Sequence, residues 1–314
     1  MDSSWERIQP YIEVDRITAE KMLSKVRPHK KIQEMGLIKK GLRNSNYYID
    51  YEDCRLLLRI YGTGDDWYRK ERAVYEHIKG KVSVPELLYM EEQHEIIDKP
   101  YAIFEYVSGP TLDEFLLQSK HDRKLMQIIG RNLALIHETH YTEVGFFDAD
   151  LKVSVRLPDL QQWYAMFLKG NAAKKLGDRL TEDILNYVRK NEINIRRIEE
   201  RIAFVHNDFR PINIIVKGDV PYIIDWEGSM AGHVLGDIGQ FLRIEAQVPA
   251  ELERVFIGSY NDTSGNRLPE DYKELARLRD LVNLLQMLNT EYDLKNKDRD
   301  VIKMIRSICS GRKG

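Results

Sequence analysis

The apolar positions change their period once along the chain. Between Lys31 and Val107 they fall in short β-branched and aromatic runs broken by Gly, Asn and Asp. This pattern predicts strands over Lys31–Ile38, Asn46–Tyr51 and Arg55–Tyr61, with turns at Gly41–Asn44 and Glu52–Asp53. Two further strands are predicted over Glu86–Met90 and Tyr101–Val107. Ahead of these two, "DDWYRKERAVYEHIKG" reads as a helix opened by Asp65 and Asp66 and closed by Gly80. Ahead of the strands, Ile8–Val26 has roughly helical spacing with Pro28 beyond it, and a helix is predicted there.

After Ser108–Pro110 the period becomes helical. Thr111 and Glu114 can form a capping box, and Leu125, Ile128, Ile129, Leu133 and Ile136 line one helix face. Helices are predicted to fill Pro158–Arg201 and Gly236–Ile308. One stretch breaks the pattern: Ile212–Val216 and Pro221–Ile224 flank a Lys-Gly-Asp turn and read as a hairpin. The expectation is an α+β chain with a sheet-rich part over residues 1–107 and a mainly helical part over 108–314.

Composition narrows the possible functions. The chain has 314 residues, 43% of them hydrophobic and 31% charged, enough for a sizeable core in one large or two ordinary domains. A formal net charge of -2 gives no overall basic field for nucleic acid or anionic membrane. The basic end, "RSICSGRKG", reads as a short solvated tail. Two distant cysteines, Cys54 and Cys309, make neither a metal-ligand pattern nor a disulfide framework, which fits a reducing cytosol. "MDSSWERIQPYIEVD" has no apolar core of a signal peptide, and no apolar run approaches the ~18 residues of a membrane span. A cytoplasmic protein, monomeric or weakly dimeric, is expected.

The chemistry concentrates in Phe204–Glu227, "FVHNDFRPINIIVKGDVPYIIDWE". A turn can bring Asp208 and Asn213 to one cleft, and the hairpin returns the chain so that Asp225 arrives beside them. Asn213 and Asp225 offer oxygen ligands suited to Mg²⁺, which takes one or two carboxylates plus phosphate oxygens. Asp208 is then left to orient or deprotonate a hydroxyl. Phosphoryl transfer needs this division of labour. Alone, each residue reads more simply as a turn cap, a loop amide or a strand-end acid; together they favour the chemical reading.

These residues carry a resemblance. "HNDFRPIN" resembles the catalytic loop of the kinase superfamily, His-x-Asp-x-x-x-x-Asn, and "IIDWE" its metal-binding strand end. The short loop and the Asp-Trp-Glu ending are similar to the aminoglycoside phosphotransferase and choline kinase branch, where Gly usually stands at the position of Asn207. The resemblance implies a bilobal protein-kinase-like fold that uses Mg²⁺ and ATP, or GTP. "GLIKKGLRNSNYYI" would be the nucleotide-covering strand–turn–strand, with Asn44 and Ser45 near the phosphates. Arg59 stands where a phosphate-pairing Lys is usual, and Glu71 would pair with it. Glu105, Tyr106 and Val107 would form the hinge that meets the base. His206 and Asp237 would brace the catalytic loop, with His137 packed nearby. Arg210 would contact the transferred phosphate or an acidic neighbour.

The acceptor is implied more coarsely. "GDIGQF" follows Asp225 too closely for the activation segment of a protein kinase, so a small molecule is expected. Glu227, Glu270, Asp271, Glu291 and Asp293 could neutralise a polycationic aminoglycoside, or could be ordinary helix-surface acids. Choline-like, macrolide and sugar acceptors remain open, as does a non-catalytic nucleotide-binding pseudokinase.

Overall fold

The computed structural model describes residues 5–39, 41–62, 67–118, 122–244 and 246–310. The expected helix-opening acids Asp65 and Asp66 lie outside the described residues, as do the first four residues and the end of the basic tail from 311 on.

The first helix is shorter than its spacing suggests: α1 spans Arg16–Leu23. Asp15 starts it, its carboxylate accepting the Thr18 N–H at 2.7 Å. The residues before it run extended beside the second strand, where the Ile12 N–H meets Ser45 Oγ at 2.8 Å and Tyr47 donates to the Ile12 carbonyl at 2.8 Å. The apolar spacing of Ile8–Val14 therefore serves an extended segment laid against the inward-facing side chains of the sheet instead of a helix face.

Five strands, β1 (Glu34–Ile38), β2 (Ser45–Asp50), β3 (Arg55–Ile60), β4 (Leu87–Glu91) and β5 (Tyr101–Glu105), form an antiparallel sheet of order β1-β2-β3-β5-β4. Strict alternation decides which residues are buried: along β2, Ser45, Tyr47 and Ile49 face inward. Tyr47 and Ile49 pack with Leu56, Leu58 and Ile60 of β3 against Met22 and Leu23 of α1. Helix α2 (Trp67–Ile78) covers the other face, where Val74, Tyr75 and Ile78 meet Ala102 and Phe104.

The second part begins with α3 (Leu112–Leu117) and α4 (Arg123–Ile136), then β6 (Gly145–Phe147) and β7 (Val153–Arg156). The capping box at Thr111 and Glu114 is present. Helices α5 (Leu160–Phe167), α6 (Asn171–Leu176), α7 (Asp178–Lys190) and α8 (Glu192–Glu199) follow. Next come β8 (Ile202–Val205), the hairpin β9 (Ile214–Lys217) and β10 (Val220–Ile223), and β11 (Met230–His233). The chain closes with α9 (Val234–Phe241), α10 (Ala250–Thr263), α11 (Tyr272–Leu288) and α12 (Lys295–Cys309).

The expected hairpin is present, with Lys217 opposite Val220. The expectation of an otherwise helical second part is corrected by a four-stranded sheet of order β7-β6-β11-β8. Its strands have three or four residues, too few for a period to show. This sheet positions the motif, because Val205 pairs with Met230. The chain thus leaves β8 and re-enters at β11, and residues 206–229 form a loop closed at its base. Every residue of α9 is buried, which makes it the central helix beneath that loop.

Candidate active site

The loop from β8 brings two of the three singled-out residues into contact. Asn213 Nδ2 donates to Asp208 Oδ2 at 2.7 Å and to the Asp208 carbonyl at 2.9 Å. The Asn213 carbonyl in turn accepts the Ile224 N–H at 2.9 Å, which anchors the strand end that carries Asp225. Arg210 forks onto Asp208 at 2.7 and 3.1 Å. About a third of the Asp208 side chain stays exposed. Burial would raise its pKa, but the Arg210 guanidinium, with Arg243 and His206 behind it, holds the carboxyl below the ordinary Asp range.

The departure at Asn207 is accommodated by backbone geometry. Asn207 adopts φ 62, in the left-handed region that a Gly would enter freely and that Asn tolerates best among other residues. Its side chain donates to the Gly228 carbonyl at 3.2 Å, and its own carbonyl accepts from Gln240 at 2.9 Å. Asp225 is also left-handed, at φ 68.

Asp237 braces this loop from α9. Its two oxygens accept the backbone N–H groups of His206 and Asn207, both at 2.8 Å, and His137 Nε2 approaches at 3.1 Å. Burial lowers the His137 pKa against the pull of Asp237. The neutral ring then donates from Nε2 to Asp237 and accepts from Tyr260 at Nδ1, 3.0 Å away. His206 takes the same tautomer: Nδ1 accepts the Asp208 N–H at 3.2 Å, so Nε2–H donates to the Ile224 carbonyl at 2.9 Å. His206 is thus a clamp between the loop and the Asp225 strand end.

Across the crevice, β3 and α2 supply the cation. Arg59 binds Glu71 at 2.8 Å and Asn46 at 3.2 Å, and it stands 3.9 Å from Asp225. Tyr61 donates to the other Glu71 oxygen. Burial pushes the Glu71 carboxyl up, opposed by Arg59 and Tyr61. A neighbour that the sequence reading missed adds a second tie. Lys70, 5% exposed, reaches over to the carbonyls of Glu227 and Ser229, both at 2.8 Å. Burial lowers its pKa to about 8. In "RKERAV" it reads as one more solvated helix charge, and only the fold shows otherwise.

Other expected site residues divide. The Ser45 hydroxyl is fully buried and accepts from Ile12, which leaves its backbone as the part that could meet a phosphate. Asn44 donates to the Glu227 carboxylate, which places Glu227 against the turn between β1 and β2 and away from Asp271. Burial beside Asp225 pushes the Glu227 pKa up to about 7. Asp271 is held by Arg197 at 2.6 and 2.7 Å, while Glu270, Glu291 and Asp293 are exposed. At the hinge, Glu105 accepts from Lys217 of β9 at 3.2 Å, Tyr106 lies under the Arg55 guanidinium and Val107 is buried. A Cβ at Gly109 would stand 2.2 Å from the Val216 carbonyl oxygen, so only Gly lets the two strands of chain approach here.

Beside the Asp208 loop is a small cleft of about 30 Å³, lined by Asp113, Arg210, Gln240, Arg243, Gln247 and Met304 among others. Arg243 is itself neutralised by Asp280. Among the described residues, no group of three His, Cys, Asp or Glu side chains could hold a metal alone. Asn213 and Asp225 could hold one only together with ligand oxygens.

A small antiparallel sheet with one covering helix, a mainly helical second lobe, and an Asp–Asn loop facing an Arg–Glu pair define the protein-kinase-like fold class. The chain belongs to the phosphotransferase enzyme family, whose model matches residues 34–277. No curated protein matches it significantly. The fold resembles that of aminoglycoside phosphotransferase APH(4)-Ia, with TM-score 0.69 and 17% identity over 96% of this chain and 100% of that one. A ternary complex of a thermostable mutant of that enzyme with AMP-PNP and hygromycin B gives 0.67 at 17% identity, over 95% and 99% of the two chains. Choline kinase from Cryptosporidium parvum Iowa II gives 0.66 at 16%, over 95% and 96%. No helix among the described residues is long and apolar enough to cross a membrane.

Proposed function

We propose that the protein transfers the γ-phosphoryl group of ATP, or of GTP, to a hydroxyl of a small molecule, with Mg²⁺ bound at Asn213 and Asp225. The observation that carries this reading is the contact of Asn213 with Asp208 at 2.7 Å, facing an Asp225 that is itself 3.9 Å from Arg59. Bound metal would neutralise charge on the phosphates. Arg59, fixed by Glu71, adds a cation on the same side. Asp208, kept ionised by Arg210, orients the acceptor hydroxyl and takes its proton. Arg210, forked onto Asp208, supplies a second cation beside the acceptor hydroxyl. Residues 1–107 then act as the nucleotide lobe and 108–314 as the catalytic and acceptor lobe, hinged at Glu105–Val107.

Aminoglycosides are the first acceptors to test, because a neighbouring fold holds hygromycin B. The cleft beside Arg210 favours a second class. Among the described residues its lining offers Asp113, two arginines and two glutamines, hydrogen-bonding groups for part of a hydroxyl-rich acceptor such as a sugar. Labelled ATP and GTP incubated with aminoglycosides, sugars, choline and macrolides would separate these classes, with Asp208→Asn as the control. Nucleotide binding with no transfer to any acceptor would favour a pseudokinase. Undiminished transfer by Asp208→Asn would remove Asp208 from the chemistry.

A further inference from the structure

The segment just ahead of the extended N-terminal run touches both lobes. Arg7 Nη1 donates to the carbonyls of Gly41 and Asn44 at 3.0 and 3.1 Å, and Nη2 donates to that of Arg43 at 2.7 Å. One guanidinium thus gathers the turn between β1 and β2, whose Asn44 side chain reaches Glu227. The preceding residue turns the other way. Glu6 accepts the N–H groups of Asn296 and Lys297 at 2.8 and 3.3 Å, in the first turn of α12. That helix has Leu294 at its cap position, where no side chain can accept; Asp298 takes the Leu294 N–H at 3.3 Å, and Glu6 supplies the acceptor for the next free N–H groups from a distant part of the chain. The Asn296 N–H holds the Glu6 carboxyl below its ordinary pKa. Trp5 completes the attachment: its indole N–H donates to Asp300 at 3.1 Å, and its ring forms part of the wall of the cleft beside Arg210 and Met304.

We propose that Trp5–Arg7 is a strap that completes the site, with Arg7 a positioning residue for the nucleotide-covering turn and Trp5 a wall of the acceptor cleft. This rests on the kinase reading above. A strap anchored at both ends couples the two ligands. Glu6 on α12 and Arg7 on the turn tie the two lobes through adjacent residues, and the Trp5–Asp300 hydrogen bond adds a further hold on the cleft wall.

Cutting either end should have the same effect. The test measures binding of Mg·AMP-PNP by calorimetry, with unfolding midpoints in parallel, for the full chain and for Arg7→Ala, Glu6→Ala and the double variant. Each single variant should weaken binding roughly tenfold, the scale expected when one short loop loses its preorganisation. The double variant should lose little more than either single one, and Arg7→Lys, which reaches fewer carbonyls, should fall between. In the wild type, nucleotide should alter the fluorescence of Trp5, identified by subtracting a Trp5→Phe variant. Unchanged affinity in the single variants, or losses that multiply in the double one, would overturn the strap alone. A wild-type chain that binds no nucleotide would overturn the kinase reading and the strap with it.

Discussion

The Arg59 guanidinium stands 3.9 Å from Asp225 while it holds Glu71 at 2.8 Å, so one cation links a strand, the covering helix and the far wall of the crevice. Arg59→Ala would leave Glu71, 0% exposed, with Tyr61 as its remaining side-chain hydrogen-bond donor. Breaking a buried pair from one side costs about 3–5 kcal/mol. Arg59→Lys keeps the charge but cannot reach Asn46 and Glu71 with a planar fork, so a smaller loss is expected. Urea denaturation of both variants, with nucleotide affinity alongside, tests the order Ala worse than Lys.

Asp208→Asn should lower transfer by about 10²–10⁴, the usual contribution of a positioned base, and leave the affinity for Mg-nucleotide nearly unchanged. The fold should survive, because Asn can keep one acceptor toward Asn213 and the Arg210 fork. A comparable fall in nucleotide affinity would show instead that the residue shapes the phosphate site.

Asp237→Ala removes the acceptor for the backbone N–H groups of both His206 and Asn207, in a position with no access to water. Two orphaned buried donors predict a loss of several kcal/mol, at about 1–3 each. Asp237→Asn can satisfy only one of them and should fall between. Amide exchange at 206 and 207 would report the released loop directly.

Stability should fall as pH drops below about 6.5. Burial lowers the pKa of His137, and burial together with Arg279 lowers that of His233 well below the ordinary value of 6.5. Arg279 Nε donates to His233 Nδ1 at 3.1 Å, so that nitrogen has no place for a proton. In this window the unfolded chain binds protons that the folded chain refuses, so stability is present above 6.5 and lost below it. The slope is at most about 1.4 kcal/mol per pH unit for each ring. Glu227, with its raised pKa, contributes with the opposite sign between 4.5 and about 7. The measurement is therefore the difference between wild type and His233→Gln in urea midpoints at pH 7.5 and 5.5. Parallel pH profiles would refute it.

What was legible in the sequence was local. Asp208, Asn213 and Asp225 lie within one loop and hairpin, and their spacing alone carries them to one place. The five-stranded sheet showed because its strands are apolar runs of five or six residues bounded by turn residues, with strict alternation of burial along β2. The strands from β6 to β11 outside the hairpin were too short to show a period, yet the β8–β11 pair closes the catalytic loop. Lys70 was invisible because a helix charge aimed at a distant carbonyl has the same sequence appearance as one in water. The inward turn of the Ser45 hydroxyl was hidden because nothing in its neighbourhood announces Ile12. The extended start of the chain mimics a helix in sequence because apolar residues laid against a sheet face can fall by chance at helical spacing.

Asp237 joins groups separated by 30, 31 and 100 positions. Closing such distances costs chain entropy before any contact returns it. The 206–229 segment therefore cannot take its shape until α4 and α9 have docked, whereas the β-hairpins of the first sheet can form from neighbours. During refolding, catalytic competence should be the last property recovered. Under mild denaturant it should be the first to go, while the circular dichroism of the chain is still intact.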